Sequence, residues 1–464
     1  MVENVADTPQ APVEDNRLNP MFVDDVVAAL EAGDIERVRL LADPLHPADV
    51  ADLMEQVEAV DRAALAAALG DKLDADAFAE MNDYVRDDLI DALEPQQVGD
   101  LVQQLDTDDA VAIIEDLDAD DQREVLRSLP ADDRAAIEEA LSYPEESAGR
   151  VMQRELIAVP EHWTIGQVID FLRENPDLAT DFWEIFVVDT GHHPVGTMRL
   201  SWVLRTPRKV AVADVMQREQ TLIPVDMDQE EVALRFQKYA LISAAVTDAT
   251  GRLVGVITVD DILHIIQEEA GEDILKLSGA GDGDVNEPVF ETVKVRVRWL
   301  MVNLGTAILA SLVIGLFAAT IEQMVALAIL MPIVASLGGN AGTQTMAVAV
   351  RALATNELTE SNTSRQIGKE IKVALMNGAV IAIIVGLVAG LYFANAHLGW
   401  VIAVAMVGNI LVAGLAGVLV PLTLDRFDID PAVASSVFVT MTTDVMGFFL
   451  FLGLAAATGL TPAG

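Results

Sequence analysis

The chain has 464 residues, a formal net charge of −44 and a mean hydropathy of +0.36. One soluble domain does not combine so much charge with so much apolar surface, so these properties are expected in different parts of the chain. The negative charge argues against a nucleic-acid partner, and the absence of cysteine excludes disulfides and thiolate metal sites.

Charge and apolar character are separated along the chain. Residues 1–298 carry 65 of the 73 acidic residues and 24 of the 29 basic residues, whereas residues 299–464 are mostly apolar. The sequence therefore predicts an acidic soluble half followed by a membrane half. Divalent cations are expected partners, since crowded carboxylates repel one another until a cation screens them. Residues 1–19 are polar and contain proline, which predicts a disordered tail without a signal peptide.

Residues 20–143 are rich in alanine, leucine and aspartate and show almost no strand pattern. Leucine recurs every twelve residues, at positions 93, 105, 117, 129 and 141. Several units open with acidic residues, as in Asp118-Ala-Asp-Asp. Carboxylates in a first helical turn cap free N–H groups and complement the helix dipole. The pattern predicts a stack of short helices, an α-helical superhelical N domain.

Residues 146–264 contain a tandem α/β repeat. Val151-Met-Gln-Arg-Glu returns as Val215-Met-Gln-Arg-Glu, and Val195-Gly-Thr-Met-Arg is echoed by Val254-Gly-Val-Ile-Thr. Short β-rich runs alternate with helical stretches. Because two landmarks repeat in register, the segment resembles a tandem CBS domain pair, which packs as one regulatory domain.

CBS pairs often bind adenine nucleotides through a Gly-x-x-Thr-x-x-Asp segment. The second repeat has this segment, with Thr258 and Asp261, whereas the first has Arg199 and Trp202 in the corresponding positions. The resemblance therefore implies at most one such ATP site, with Thr258 and Asp261 as its ligands. The alternative is a structural role in which Asp261 caps a helix.

Residues 265–298 are predicted to form an acidic connecting helix and a linker rich in Gly, Asp, Asn and Pro. Glu268, Glu269, Glu272 and Asp273 lie within six residues, and on a helix they fall on adjoining parts of one face. A divalent ion would relieve repulsion along that face. The alternative is an ordinary exposed helix surface.

Residues 299–464 predict a five-span transmembrane domain. The apolar segments cover residues 299–320, 323–350, 371–394, 399–424 and 432–459. Lys and Arg residues precede the first segment and lie between the second and third and between the fourth and fifth. Positive residues mark the cytoplasmic side, so the N-terminal half is expected in the cytoplasm and the C-terminus outside.

Two features inside the spans are unusual. The second span contains Pro332 and a Gly-Gly-Asn-Ala-Gly stretch around Asn340, with Gln344 four residues further on. A broken helix there would offer carbonyls to an ion; the alternative is close helix packing with the amides as interhelical contacts. The fifth span contains Asp444, its only carboxylate. It is either a neutral acid packed against Thr442 or Thr443, or a cation site in a pore.

The segment from Pro332 to Gln344, Asp430-Pro431, Asp444 and the order of domains together resemble the MgtE family of magnesium channels. The resemblance implies a homodimer with the second and fifth spans lining a pore, closed by the connecting helix, called the plug helix, when cytosolic Mg²⁺ binds. It assigns the metal ligands residue by residue, namely Asp444, Asn340 within residues 338–342, Glu230, Asp261, Glu269, Glu272 and Asp273.

The family resemblance thus predicts a multidomain membrane protein that takes up Mg²⁺ across the inner (cytoplasmic) membrane, is gated by Mg²⁺, contacts membrane lipid and is not an enzyme. Ala240 and His264 stand where acidic ligands are expected, and Val437 where relatives often have proline. These departures leave the number of sensor ions open. The alternatives are a CBS-regulated transporter of Co²⁺, Mn²⁺ or Ni²⁺, and a membrane-anchored nucleotide or ion sensor.

Overall fold

The computed structural model describes residues 13–14, 17–90, 93, 95–115, 117–175, 178, 182–279, 287–359, 361–427 and 429–459. They form two compact units, divided between Gln267 and Glu268. Most of the predicted tail and linker residues 280–286 lie outside the described residues. Residues 13–14 and 17–18, inside the predicted tail, pair as two short antiparallel strands, β1 (Val13–Glu14) and β2 (Arg17–Leu18).

The N-terminal part of the first unit is a succession of short helices, as predicted. They are α1 (Pro20–Glu31), α2 (Ile35–Ala42), α3 (Pro47–Gln56), α4 (Ala59–Leu69), α5 (Ala75–Ala79), α6 (Asp83–Ile90), α7 (Pro95–Val102), α8 (Thr107–Glu115), α9 (Ala119–Ser128) and α10 (Ala131–Ala140).

The twelve-residue leucine repeat marks the turns between these helices. Leu105, Leu117 and Leu141 follow α7, α8 and α10, and Leu129 is the C-cap of α9. Leu129 is buried in the core of the helical stack, and the others pack against that core. Each helix therefore ends by returning one apolar side chain to a continuous core, which is how stacked repeats are stabilised.

Helix capping differs in detail from the prediction. Asn19, Asp34 and Asp74 accept hydrogen bonds from backbone N–H groups at the starts of α1, α2 and α5. Asp118, at the start of α9, makes no such bond, and α10 begins after Pro130. Both helices instead carry two aspartates in the first turn, where the negative charge favours the helix dipole.

The rest of the first unit is the predicted α/β repeat. The first repeat contains β3 (Ala158–Pro160), α11 (Ile165–Glu174), β4 (Glu184–Val188), β5 (Pro194–Arg199) and α12 (Leu200–Arg205). The second contains α13 (Val212–Val215), β6 (Leu222–Pro224), α14 (Gln229–Tyr239), β7 (Ser243–Thr247) and β8 (Leu253–Thr258). The connecting helix, α15 (Val259–Ser278), continues directly from β8 and so begins before residue 265.

The two repeats have the same sheet topology. In each three-stranded sheet the first two strands are parallel and the last two antiparallel, with a register shift at Val187/Val188 and again at Val246/Thr247. Each repeat has its own apolar core. A third cluster, which includes Phe186, Ala245 and Val256, joins the two sheets. The structure confirms the tandem repeat predicted from the sequence.

The second unit contains long apolar helices. They are α16 (Val289–Leu316), the short α17 (Ala318–Gln323), α18 (Ala326–Ala354), α19 (Thr363–Tyr392), α20 (Ala396–Asp425) and α21 (Pro431–Ala457). Of these six helices, all but α17 are long and apolar enough to span a membrane. Helix α16 begins before the predicted start at residue 299, because its basic first turns are also helical.

Helix α20 lies at the centre of this bundle and packs against α18, α19 and α21. Glycines allow the close approach. A Cβ on Gly386 of α19 would lie 2.8 Å from the backbone oxygen of Gly399 in α20. A Cβ on Gly417 of α20 would lie equally close, at 2.8 Å, to the backbone oxygen of Gly342 in α18. Membrane helices associate through such small-residue contacts, since burial from lipid gives little hydrophobic gain.

The structure distinguishes the two alternatives for the second span. Helix α18 is continuous from Ala326 to Ala354, with Pro332 inside it. Its glycines do not break the helix because two of them, Gly338 and Gly342, are buried against α20 and α21. The structure supports the alternative, in which these glycines serve close packing. No unwound segment in α18 offers backbone carbonyls to an ion.

Candidate functional site

Asp444 is the central residue of α21 and is half-buried in the single chain. Among the described residues it has no hydrogen-bond or ion-pair partner. The hydroxyls of Thr442 and Thr443 donate to backbone oxygens of their own helix, Phe438 at 2.8 Å and Thr440 at 3.0 Å. The threonine hydroxyls therefore do not donate hydrogen bonds to the carboxyl group of Asp444. A carboxyl in an apolar span without a protein partner is suited to a cation.

The contact between α18 and α21 lies beside Asp444. A Cβ on Gly342 would lie 2.6 Å from Cγ1 of Val439 and 3.4 Å from Cγ2 of Thr443, so only glycine allows this approach. On the same helix, Asn340 and Gln344 are exposed in the single chain. Neither amide has a hydrogen-bond partner among the described residues, so the predicted interhelical hydrogen bonds are not present.

Sequence reasoning did not identify Asn409, which lies in the middle of α20. Its side chain is fully buried, and Nδ2 donates a 2.9 Å hydrogen bond to the backbone oxygen of Val334 in α18. Its Oδ1 atom is buried and has no hydrogen-bond partner among the described residues. One signal could have found it, since a single amide in an apolar span is itself unusual.

The end of the connecting helix contacts the start of α21 within the second unit. Nζ of Lys276 lies 2.5 Å from Oε1 of Glu272 and 3.2 Å from Oδ2 of Asp430. Asp430 also caps α21 by accepting from the backbone N–H of Ala432 at 2.7 Å. Leu277 packs against an apolar cluster that includes Met346 of α18 and Val439 of α21, the two helices whose contact lies beside Asp444. The connecting helix is thus attached by both charge and apolar contact.

Four carboxylates lie together around Lys276, and three of them are on the helix face that the spacing predicted. Burial raises the pKa of Asp273, and the charges of Asp430, Glu269 and Glu272 raise it further. Burial alone would lower the pKa of Lys276, but its hydrogen bonds to Glu272 and Asp430 outweigh burial and raise it. The structure therefore brings Glu269, Glu272 and Asp273 together and adds Asp430. One ammonium group balances only part of their negative charge.

Asp261 has the predicted structural role of a helix cap. Its Oδ2 accepts from the hydroxyl of Thr258 at 2.7 Å and from the backbone N–H of Thr258 at 3.2 Å. Gln153, in the first copy of the Val-Met-Gln-Arg-Glu segment, also donates to Asp261 at 3.2 Å. The polar groups proposed as nucleotide ligands therefore already satisfy one another, and a nucleotide would have to exchange these hydrogen bonds.

The first Val-Met-Gln-Arg-Glu segment joins the helical stack to the CBS pair. Arg154 pairs with Glu139 at 2.5 Å, and Glu155 accepts from the hydroxyl of Thr107 at 2.8 Å. In the second copy, Gln217 and Arg218 instead donate to nearby backbone oxygens. Only the first copy of the repeat makes these contacts to the N domain among the described residues. The sequence alone could not separate the two roles.

A second acidic cluster, missed by the sequence analysis, lies at this junction. Burial raises the pKa of Asp108 well above its usual range, and the charges of Asp261 and Asp109 add to the effect. Asp109 is partly open to solvent, yet burial by the surrounding protein raises its pKa to about 6. The charge of Asp261 is the second cause of this increase. The electrostatic effect of nearby His264 lowers the pKa of Asp109 and of Asp261. These carboxylates therefore repel one another across the junction.

The remaining predicted ligand, Glu230, lies in the first turn of α14, where its backbone N–H donates to Asp228. Within the described ranges, no three His, Asp or Glu side chains are arranged as a complete metal site.

A cavity of about 380 Å³ lies in the CBS pair. Its lining includes Ile157 and Ala158 from the first repeat and Leu253 and Val254 from the second, with Arg154 and His192 as polar groups. Its volume is within the range of small-molecule pockets. Neither Thr258 nor Asp261 lines it.

Family models match three parts of the chain. Residues 331–454 match a divalent cation transporter family, MgtE. Residues 45–146 match the MgtE intracellular N domain, and residues 212–268 match the CBS domain. The matches cover the three kinds of domain predicted from the sequence.

Curated relatives share most of the chain. The magnesium transporter MgtE of Thermus thermophilus is 33% identical over 69% of this chain and 72% of its own length. That of Enterococcus faecalis is 32% identical over 69% of this chain and 71% of its own. The Bacillus subtilis protein is 28% identical.

Two solved structures are similar to about half of the chain. The cytosolic domain of the Mg²⁺ channel MgtE in complex with ATP has a TM-score of 0.49 and 27% identity, covering 52% of this chain and 99% of that one. The soluble part of a magnesium transporter has a TM-score of 0.47 and 26% identity, covering 54% and 98%.

Proposed function

The chain belongs to the MgtE family of magnesium transporters, and we propose that it is a Mg²⁺-selective channel closed by cytosolic Mg²⁺. One observation carries the proposal, namely that Asp444 lies unpaired within an apolar span beside the α18–α21 contact. The relatives are named as transporters, which agrees with the expectation that the chain is not an enzyme.

Ion passage is proposed to depend on a pair of Asp444 side chains. In a homodimer, a two-fold axis would bring two copies of one carboxylate together. Two carboxylates hold a hydrated Mg²⁺ through its waters, weakly enough to release it. Exposed Asn340 would face the same path and accept hydrogen bonds from the ion's waters. The free-energy cost of holding the charged Asp444 side chains within the bilayer is then reduced only when an ion is bound.

Closing is proposed to use the acids of the connecting helix. Glu269, Glu272, Asp273 and Asp430 lie together, and Lys276 neutralises only part of their charge. A Mg²⁺ ion added to this group would favour the arrangement in which α15 is held against α21. A ligand shifts such an equilibrium only by its preference for one state, so each lost acid should weaken closing.

The N domain and CBS pair are proposed to sense Mg²⁺ in the same way. Asp108, Asp109 and Asp261 repel one another while ion pairs such as Arg154–Glu139 hold the junction together. Bound Mg²⁺ would replace repulsion by attraction. Glu230 is proposed as a further Mg²⁺ ligand because of the family resemblance.

Transport of magnesium into proteoliposomes, with and without Mg²⁺ on the cytosolic face, tests this function. A Mg²⁺ flux that is suppressed by Mg²⁺ on the cytosolic face would support the gated channel. Equal passage of Co²⁺, Mn²⁺ or Ni²⁺ would support the broader divalent transporter, and no flux of any ion would support a membrane-anchored sensor.

The chain is proposed to lie in the inner membrane, with residues 1–298 in the cytoplasm and the C-terminus outside. The reason is that Lys and Arg flank the ends of the spans that would face the cytoplasm.

The junction cluster predicts a pH effect. The pKa of Asp109 is raised from 3.8 to about 6 in the folded protein. The stabilisation from its protonated form is therefore complete below pH 3.8 and is lost as the pH rises through about 6. Without Mg²⁺, backbone amides of α8 should exchange hydrogen faster at about pH 7.5 than at about pH 5, after correction for intrinsic exchange rates.

Adding Mg²⁺ at the higher pH should restore the protection of α8. Asp109→Asn is the matched control, because it removes the titrating group and should reduce both the pH effect and the Mg²⁺ effect. If α8 in the parent protein is equally protected at both pH values, the cluster does not control the junction.

The second CBS unit is proposed to hold at most one ATP per chain. Calorimetry at constant Mg²⁺ should give a stoichiometry of one or less, and Asp261→Ala should abolish binding. Asp226→Ala is a suitable control, since it removes an exposed carboxylate of the same repeat that makes no hydrogen bond to Thr258 or Asp261. Two ATP molecules per chain would contradict the proposal. Binding unaffected by Asp261→Ala would also contradict it.

A further inference from the structure

A buried amide connects the helices beside Asp444. Asn409, on the central helix α20, is fully buried and donates through Nδ2 to the backbone oxygen of Val334 in α18 at 2.9 Å. Two glycines surround the amide. A Cβ on Gly338 of α18 would lie 2.2 Å from Nδ2, and a Cβ on Gly447 of α21 would lie 2.8 Å from the same atom. One side chain thus fills the space between α18 and α21.

The location of these glycines relates Asn409 to the ion path. Gly447 is three residues after Asp444, which is one helical turn, and Gly338 is two residues before Asn340. The amide of Asn409 therefore lies against both helices within one turn of the residues proposed to meet the ion. Its own helix carries neither of those residues.

Apolar packing alone does not explain an amide at this position. Oδ1 of Asn409 is buried with no hydrogen-bond partner among the described residues, and it would lie 3.0 Å from a Cβ on Gly447. A buried acceptor without a partner is unfavourable, and a leucine, which has the same number of side-chain heavy atoms, would avoid it. The single bond from Nδ2 to Val334 is what the amide supplies and an apolar residue does not.

We propose that Asn409 is a positioning residue for Mg²⁺ transport, fixing the spacing and register of α18 and α21 at the level of Asp444. This inference rests on the proposed function, in which these two helices line the path. Asn409 does not contact the ion in this account. It acts through the placement of Asp444 and Asn340.

The test measures Mg²⁺ flux into proteoliposomes with Asn409→Leu, which keeps the number and branching of the side-chain heavy atoms and removes the hydrogen bond. The half-saturating Mg²⁺ concentration should rise about fivefold, the ratio expected for loss of one hydrogen bond. Selectivity for Mg²⁺ over Co²⁺ should fall with it. A merely structural role would reduce the amount of folded protein without changing either quantity in the protein that remains.

Thr423→Val is the matched control on the same helix. The hydroxyl of Thr423 donates only to Leu419 within α20, so its loss should leave both quantities unchanged. A pair of variants separates packing from hydrogen bonding. Gly338→Ala should lower the melting temperature because its Cβ meets Nδ2. Gly338→Ala with Asn409→Ala should restore the melting temperature but not the half-saturating concentration.

Asp444→Ala, measured in parallel, distinguishes the two levels of the proposal. If Asp444→Ala transports as the parent does, the proposed function fails, and the Asn409 proposal fails with it. If Asp444→Ala is inactive while Asn409→Leu keeps the parent half-saturation and selectivity, only the positioning role is overturned. Restored half-saturation in the double variant would also overturn it, because spacing would then not need the hydrogen bond.

Discussion

Asp444→Ala should abolish Mg²⁺ uptake while leaving the protein folded and the proposed homodimer assembled. The carboxyl is unpaired among the described residues, so its removal costs no hydrogen bond or ion pair. Flux should fall at least about a hundredfold, the ratio that corresponds to roughly 3 kcal/mol for a charge in a bilayer without its counter-charge. Proteoliposome flux, normalised to folded protein from size-exclusion chromatography, measures this.

Two further variants make this result specific. Asp444→Asn keeps the size and removes the charge, so it should lose most selectivity for divalent over monovalent ions while expressing normally. Asp425→Ala removes an exposed carboxylate at the end of α20 and should leave flux unchanged. Parent-like uptake by Asp444→Ala would show that the ion path does not use this residue.

Much of the fold could be predicted because its signals are periodic and local. The twelve-residue leucine repeat predicted the helical stack, and in the structure Leu105, Leu117 and Leu129 close successive helices onto one core. The repeated Val-Met-Gln-Arg-Glu segment predicted two similar α/β units, and both sheets have the same strand order. Apolar length predicted the five spans. Each signal repeats within a few dozen residues and needs no knowledge of distant contacts.

Helix α18 shows where local signals leave two alternatives open. Proline and glycine weaken an isolated helix, and the sequence contains both between Pro332 and Gly342. The structure keeps the helix because those glycines meet Asn409 and Val439 from other helices. Tertiary packing outweighs local propensity here, and the partner residues lie about 70 to 100 positions away in the chain.

The acidic sites were only partly predictable for the same reason. Glu269, Glu272 and Asp273 share a helix face, so their spacing alone predicts that they lie together. Asp430 and Lys276 complete the group through the fold. Asp108 and Asp109 belong to a helix that the sequence presents as one of several with acidic first turns. Only the docking of that helix beside Asp261 distinguishes them.

Glu269→Gln with Glu272→Gln should leave conduction intact and raise the cytosolic Mg²⁺ needed to close the channel. Both residues belong to the group around Lys276 and Asp430, which lies outside the spans, so the open path keeps its charge. Half-closure should need about tenfold more Mg²⁺, equivalent to about 1.4 kcal/mol of lost preference for the closed state. Patch recordings across a range of cytosolic Mg²⁺ measure the shift.

The control for this prediction must change the charge equally without touching the connecting helix. Asp132→Asn with Glu138→Gln removes two exposed acids from α10 and should leave the closing concentration unchanged. A lower total negative charge alone would affect both double variants similarly, whereas a sensor on α15 responds only to the first. If Glu269→Gln with Glu272→Gln closes at the parent concentration, these acids are solvated surface and the Lys276–Asp430 contact holds α15 without help from Mg²⁺.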